Sequence, residues 1–262
     1  MAFEAMRLEV SGGLARLTFT NGERGNPIDA RFCGELCEAA ILAAESRDVR
    51  AVLIAAEGRA FSYGGDISSF LGDLDALPGN IRRWTTTLHS AIARLQRMDA
   101  PIVAAVHGVC AGGMSGFIAG CDIVVAARDA QFVAAFAGIG FSCDTSSSVT
   151  YSRRMGLARA RRFLLLNETL SAEMALAAGL VDELVERDAL AARSEAIATQ
   201  LAAGPTRAFG EMRRLLLSAN DQPLETQLEL EAQALARVAH SADAREGVAA
   251  FGEKRRPSFE GR

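Results

Sequence analysis

The run from His107 to Asp122, HGVCAGGMSGFIAGCD, places paired glycines ahead of an apolar stretch long enough for a short helix. Glycines at such a point expose backbone N–H groups. The amino end of a helix adds about half a positive charge, so the natural occupant is an anion or an oxygen gaining charge during a reaction. No acidic or basic side chain lies between His107 and Asp122, so any proton that moves here must be carried by a group from elsewhere in the chain. A second glycine loop, AFSYGGD, follows another apolar stretch and ends in Asp66. Taken singly, either glycine pair also fits a tight turn or a close packing contact.

Composition narrows the chemistry. Lys254 is the only lysine, which leaves no plausible Schiff-base lysine for pyridoxal phosphate and no phosphate-loop lysine. His89, His107 and His240 are far apart, and Cys33 with Cys37 has no partner pair at zinc-ligand spacing, so no metal site is expected. The five cysteines, Cys33, Cys37, Cys110, Cys121 and Cys143, are scattered in apolar surroundings, as in a reducing cytoplasm. A net charge of −4 argues against nucleic acid as the main partner. The amino terminus, MAFEAMRLEV, lacks the pattern of a secretion signal, and no window is apolar enough to span a membrane; a cytoplasmic protein is expected.

The elements that must position these residues read as α/β with mainly parallel strands. MRLEVSGGLARLTFTN predicts a hairpin turning at Ser11-Gly12-Gly13, and Asp29 is placed to cap a helix from Ala30. VRAVLIAA, PIVAAV, CDIVVAA and QFVAA predict strands. The segment after AFSYGGD reads as loop through LGDLDALPGN, with a helix from Ile81 to Met98. Beyond Leu190 four amphipathic segments without strands predict a helical layer, so the chain divides into a core over 1–190 and a helical layer over 191–262.

Taken together, these pieces resemble the enoyl-CoA hydratase/isomerase, or crotonase, superfamily over nearly the whole chain. The matching segments are Arg24-Gly25-Asn26-Pro27, VRAVLIAAEGRAFSYGGD, PIVAAVHGVCAGGMSGFIAGCD, GIGFSCDTSSS, RRFLLLNETLSAEMALAAGLVDELV and EGVAAFGEKRRPSF. The resemblance implies a spiral of ββα units with a carboxy-terminal helical layer for oligomerisation, assembled as a homotrimer or dimer of trimers. It implies a coenzyme A thioester as substrate, with no permanently bound cofactor. It also implies that the thioester carbonyl is held by the N–H groups of Gly65 and Gly113. Arg24, the backbone around Arg59, Ala60 and Ser62, and Lys254 with Phe259 match coenzyme A-binding positions, the last two reaching a neighbouring subunit.

The two glutamates that hydratases of this family use to add water match Gly116 and Phe136, neither of which transfers a proton. Asp144, eight residues after Phe136, matches an aspartate of two branches. In the epoxyphenylacetyl-CoA isomerase branch a carboxylate near this part of the pocket shuttles a proton. In the 4-chlorobenzoyl-CoA dehalogenase branch it is a nucleophile, with a histidine at the position of His89 activating water. The two tryptophans of the dehalogenase pocket match Leu88 and Phe136, and Gly65-Asp66 replaces its bulky first loop, so a reduced aromatic pocket is expected.

Read locally, Asp144 ahead of Thr145-Ser146 is equally placed to cap the next helix, His89 to sit as a surface or packed histidine, and Asp66 to cap the turn after Gly65. Three functions follow in order: an acyl-CoA isomerase using Asp144 beside Gly65 and Gly113; a hydrolase with Asp144 as nucleophile and His89 as base; and a non-catalytic acyl-CoA- or RNA-binding protein, the acidic balance weighing against RNA.

Overall fold

The computed structural model describes residues 3–262. Strands β1 (Met6–Ser11) and β2 (Leu14–Phe19) form the expected hairpin. Its two-residue turn, Gly12-Gly13, has φ of 59° and 81°, which the right-handed twist of the flanking strands favours and side-chain-bearing residues resist. Helix α1 (Ala30–Glu45) starts where Asp29 accepts a hydrogen bond from the Phe32 N–H at 2.9 Å.

Strand β3 (Ala51–Ala56) runs parallel to β2 and to β4 (Ile102–Val106), and β4 runs parallel to β6 (Ile123–Ala127), which pairs with β9 (Glu183–Val185). The sheet order is β1-β2-β3-β4-β6-β9. All five residues of β4 are buried, as its uninterrupted apolar run requires of a strand covered on both faces. Between β3 and β4 lie a short helix, α2 (Ile67–Leu71), and a long one, α3 (Leu77–Arg97). α2 falls in the segment read as loop, and α3 begins four residues before the expected Ile81, because Pro78, which breaks a helix interior, is suited to a helix's first turn.

A second, small sheet joins β5 (Val109–Ala111), β7 (Gln131–Val133) and β8 (Thr169–Ser171) in that order. Helix α4 (Gly112–Ala119) follows β5 directly; α5 (Ser147–Met155), α6 (Leu157–Leu165) and α7 (Ala172–Ala177) lie in the sequence between β7 and β9, with α5 packed on α4. Units of strand, strand and helix thus recur, as in β4-β5-α4, where the second strand belongs to the smaller sheet and hands the chain to a helix.

Four helices complete the chain: α8 (Leu190–Ala202), α9 (Thr206–Ser218), α10 (Leu224–Ala239) and α11 (Ala242–Gly252). α1, α3 and α4 bury the main core against one face of the large sheet. On the other face Leu190, Ile197, Ala198 and Ala202 of α8 pack against Leu53, Val103 and Val125, so α8 is part of what keeps the strands dry. No helix among the described residues is long and apolar enough to cross a membrane.

Candidate active site

Both glycine loops leave the carboxyl ends of neighbouring strands, and a short parallel ladder ties them together. Ser62 bridges Cys110; the Ser62 N–H donates to the Val109 carbonyl at 3.0 Å and the Ala111 N–H to the Ser62 carbonyl at 2.9 Å. Two residues beyond Ser62, Gly64 reaches the Ala111-Gly112 step that opens α4, so the first glycine loop lies against the start of the second. The approach is close: a Cβ on Gly64, which has φ of 85°, would lie 2.8 Å from the Ala111 carbonyl oxygen. Neither the Gly65 nor the Gly113 N–H donates to a protein acceptor among the described residues, and the second belongs to the first turn of α4, where N–H groups have no partner within the helix. Side chains hold the ladder from behind. The buried Asn26 donates to the Glu57 and Phe61 carbonyls at 2.9 and 3.0 Å, and the Ser62 hydroxyl donates to the Asn26 carbonyl at 2.7 Å.

Asp144 comes to this pair from the turn before α5. A Cβ built on Gly113 would lie 3.0 Å from Asp144 Oδ1. The carboxylate caps nothing: α5 has Ser146 at its N-cap with no side-chain cap bond, and it is the Asp144 main-chain carbonyl that accepts the Ser147 N–H at 2.9 Å. Thr145 and Ser146 take left-handed φ values of 50° and 68°, costing roughly 1–3 kcal/mol each, and the surrounding contacts must hold them there. One is the Thr145 hydroxyl, 2.5 Å from the Gly113 carbonyl. Another is His89, whose Nε2 lies 3.3 Å from the Thr145 N–H as its acceptor. Burial raises the Asp144 carboxyl above the usual carboxylate range, with the facing His89 and the Thr145 hydroxyl pulling it back.

The two positions at which hydratases place glutamates are closed to that chemistry. A Cβ on Gly116 would overlap the Ser147 hydroxyl, and Phe136 is buried. Beside Gly65 stands an aromatic cluster from residues other than Leu88 and Phe136. Phe70 of α2 stacks on Trp84 of α3 with centroids 6.1 Å apart and meets Phe141 at 5.6 Å; its ring edge would be 3.0 Å from a Cβ on Gly65. Trp84 lies one turn before Leu88 on the same face of α3, a spacing that could have been noticed. Phe70 lay hidden in the segment read as loop.

The sequence profile of the family described as enoyl-CoA hydratase/isomerase matches residues 9–262. The chain belongs to the enoyl-CoA hydratase/isomerase family. Among curated members it is 34% identical to the 1,2-epoxyphenylacetyl-CoA isomerase of Escherichia coli K12, covering 97% of each chain. It is 35% identical to the "Probable enoyl-CoA hydratase" of Rhodobacter capsulatus over the full length of both. The solved structure of an enoyl-CoA hydratase from Polaromonas sp. JS666 superimposes with a TM-score of 0.92 at 28% identity, covering 98% of this chain and 100% of that one. The crotonase fold is therefore shown, and family members act on coenzyme A thioesters.

The residues matching the family's coenzyme A positions are spread widely. Arg24 is half-exposed and pairs with Asp66 at 2.9 Å and Asp29 at 3.4 Å. Although burial opposes its ionisation, the Ser68 and Ser69 hydroxyls and Arg24 hold Asp66 below the usual carboxylate range, and it caps α2. Arg59 is exposed, while Ala60 and Ser62 are buried and Ser62 is committed to the ladder. Lys254 is exposed after α11. Phe259 is half-buried beside Gly247, and its carbonyl accepts from Arg50 at 3.0 Å; Arg50 precedes β3 and Gly65 follows it, so Phe259 sits at the opposite end of the sheet from Gly65 and Gly113. Among the described residues no three His, Cys, Asp or Glu side chains gather as a metal site would need.

Proposed function

We propose that the chain is an acyl-CoA isomerase in which the thioester carbonyl is gripped by the Gly65 and Gly113 N–H groups and Asp144 moves the proton. The carboxylate takes a proton from the carbon beside the carbonyl; the C–H electron pair passes into the carbonyl as an enolate, whose oxygen the two N–H groups stabilise. The same carboxyl group then returns the proton to a carbon of the conjugated system. The observation that carries this reading is that Asp144 Oδ1 comes within contact range of Gly113 while its carboxylate caps no helix. Burial raises its affinity for a proton, which suits a group that must both take and give one near neutral pH. Phe70, Trp84, Phe141, Leu88 and Phe136 favour an aromatic or otherwise apolar acyl group.

Nucleophilic hydrolysis uses the same aspartate but needs His89 to take a proton from water. His89 Nε2 is already occupied by the Thr145 N–H, which weighs against that role and leaves hydrolysis as the second reading. A non-catalytic acyl-CoA-binding role is the third.

Phenylacetyl-CoA in deuterated water tests the proposal: mass spectrometry should show deuterium entering the carbon beside the carbonyl, and Asp144→Asn should slow that entry by about 10²- to 10⁴-fold. No exchange by the native protein, or full exchange by the variant, would remove Asp144 from the reaction. In a single turnover of 4-chlorobenzoyl-CoA in oxygen-18 water, label in the peptide carrying Asp144 would promote the hydrolase. Crotonyl-CoA should be hydrated negligibly, because Gly116 and Phe136 supply no acid or base.

A further inference from the structure

His107 opens the glycine run that follows β4, and the proposed proton chemistry makes no use of it. It is 8% exposed and meets the Phe61 ring edge-on, with centroids 6.3 Å apart. Both its main chain and its side chain grip the loop that leaves β3. The Phe61 N–H donates to the His107 carbonyl at 3.1 Å, and the imidazole Nε2 lies 3.0 Å from the Gly58 carbonyl oxygen. A carbonyl can only accept, so the ring supplies the N–H. One residue therefore fastens both ends of the segment Gly58-Arg59-Ala60-Phe61. Burial, aided by the charge of Arg187, holds the imidazole below its usual range against the opposing pull of the Gly58 carbonyl and Asp129, so the ring is uncharged at neutral pH.

The segment held in this way keeps its own donors free. Among the described residues the Gly58, Arg59 and Ala60 N–H groups donate to no protein acceptor, which leaves three consecutive donors on a loop fixed at both ends. The neighbour of His107 shapes the same loop. Gly108 has φ of 55°, and a Cβ there would lie 2.4 Å from the Arg59 carbonyl oxygen, so a side chain would push the loop away. Consecutive main-chain N–H groups on a turn suit a ligand rich in acceptors, such as phosphate oxygens or the ring nitrogens of a purine. Fixing them beforehand spares the ligand the cost of ordering the loop.

We infer that His107 is a positioning residue for binding, which holds Gly58 to Phe61 as a preformed set of main-chain donors for the nucleotide end of a coenzyme A thioester. The inference rests on the coenzyme A reading of the substrate and on the match of Arg59 and Ala60 to the family's coenzyme A positions. It is independent of Asp144 and of the reaction that follows. The imidazole touches no reacting atom. The alternative to be tested is that His107 only fills space against Phe61.

His107→Leu keeps an apolar side chain beside Phe61 and removes the N–H, whereas His107→Gln offers an amide N–H at a similar reach. Titration calorimetry with coenzyme A should show about tenfold weaker binding by the leucine variant and binding within about threefold of native by the glutamine variant. In the deuterium assay the leucine variant should show a KM for phenylacetyl-CoA raised about tenfold with kcat within about twofold, while phenylacetyl-pantetheine, which lacks the nucleotide, is exchanged as by the native protein. Gly108→Ala, which presses on the Arg59 carbonyl, should weaken coenzyme A binding too, and keeps the idea testable if the leucine variant folds poorly. Unchanged coenzyme A affinity in folded His107→Leu or Gly108→Ala, or an equal loss for the pantetheine thioester, would overturn the inference. A native protein that binds no coenzyme A would overturn it together with the coenzyme A reading. Weakened coenzyme A binding restored by glutamine would uphold it even if the native protein exchanged no deuterium and the proton-transfer proposal failed.

Discussion

At Asp144 the needs of the proposed chemistry and of folding oppose each other. Burial raises its carboxyl above the usual range, so the folded chain retains that proton at a pH where the unfolded chain has released it. The contribution to stability is therefore greatest below the ordinary carboxylate value, declines as pH rises through the window up to the raised value, and stays low at neutral pH. Asp144→Asn should for this reason lose activity yet gain stability at pH 7, with a higher urea midpoint than the native protein and a gap that narrows at about pH 4. A midpoint below the native one at pH 7 would show that the carboxylate is held by favourable contacts. Gly116→Glu should fail to restore hydration: its Cβ overlaps the Ser147 hydroxyl, and relieving that overlap should cost about 1–3 kcal/mol, measurable as a lowered urea midpoint without any hydration of crotonyl-CoA. The sequence made Asp144 visible but left cap and catalyst open, because the decision lies in the left-handed backbone of Thr145 and Ser146, two residue types that do not themselves announce such a conformation.

Among the elements, the strands were legible because their uninterrupted apolar runs have a single physical explanation, burial on both faces. The segment between the first glycine loop and α3 was not: LGDLDALPGN has the composition of a loop, and α2 is too short for periodicity to reveal. That is also where the aromatic cluster was missed, since Phe70 acquires its meaning only when α2 lays it on Trp84. A second element-level feature invisible in the sequence is Arg213 of α9. Nearly enclosed, it donates to the Leu95, Met98 and Ala100 carbonyls and pairs with Asp122 at 2.9 Å, fastening α9 beneath the end of α3. Arg213→Leu leaves those acceptors unmatched and should cost about 3–5 kcal/mol, read from urea unfolding, with phenylacetyl-CoA exchange in the remaining folded fraction near normal.

For the whole molecule, the last helices display Leu216, Leu224, Leu228, Leu235, Val248 and Phe251 to solvent in the isolated chain, Phe251 at 88% exposure. We propose that such surfaces are covered by further copies, giving the trimer or dimer of trimers that the family resemblance implies; light scattering at micromolar concentration should find no stable monomer. The parallel pairing of Ser62 with Cys110, which ties the two glycine loops together, bears on how such a scaffold can change its trade. In the proposed mechanism the grip on the carbonyl is written in main-chain atoms, so replacing the side chains around it leaves the grip intact. In that proposal the proton carrier is a side chain, and it is free to migrate: this chain has no carboxylate at Gly116 or Phe136 and one at Asp144. A new reaction on this framework then requires no new way of binding the thioester, only a new address for a single carboxylate and a turn stiff enough to keep it there.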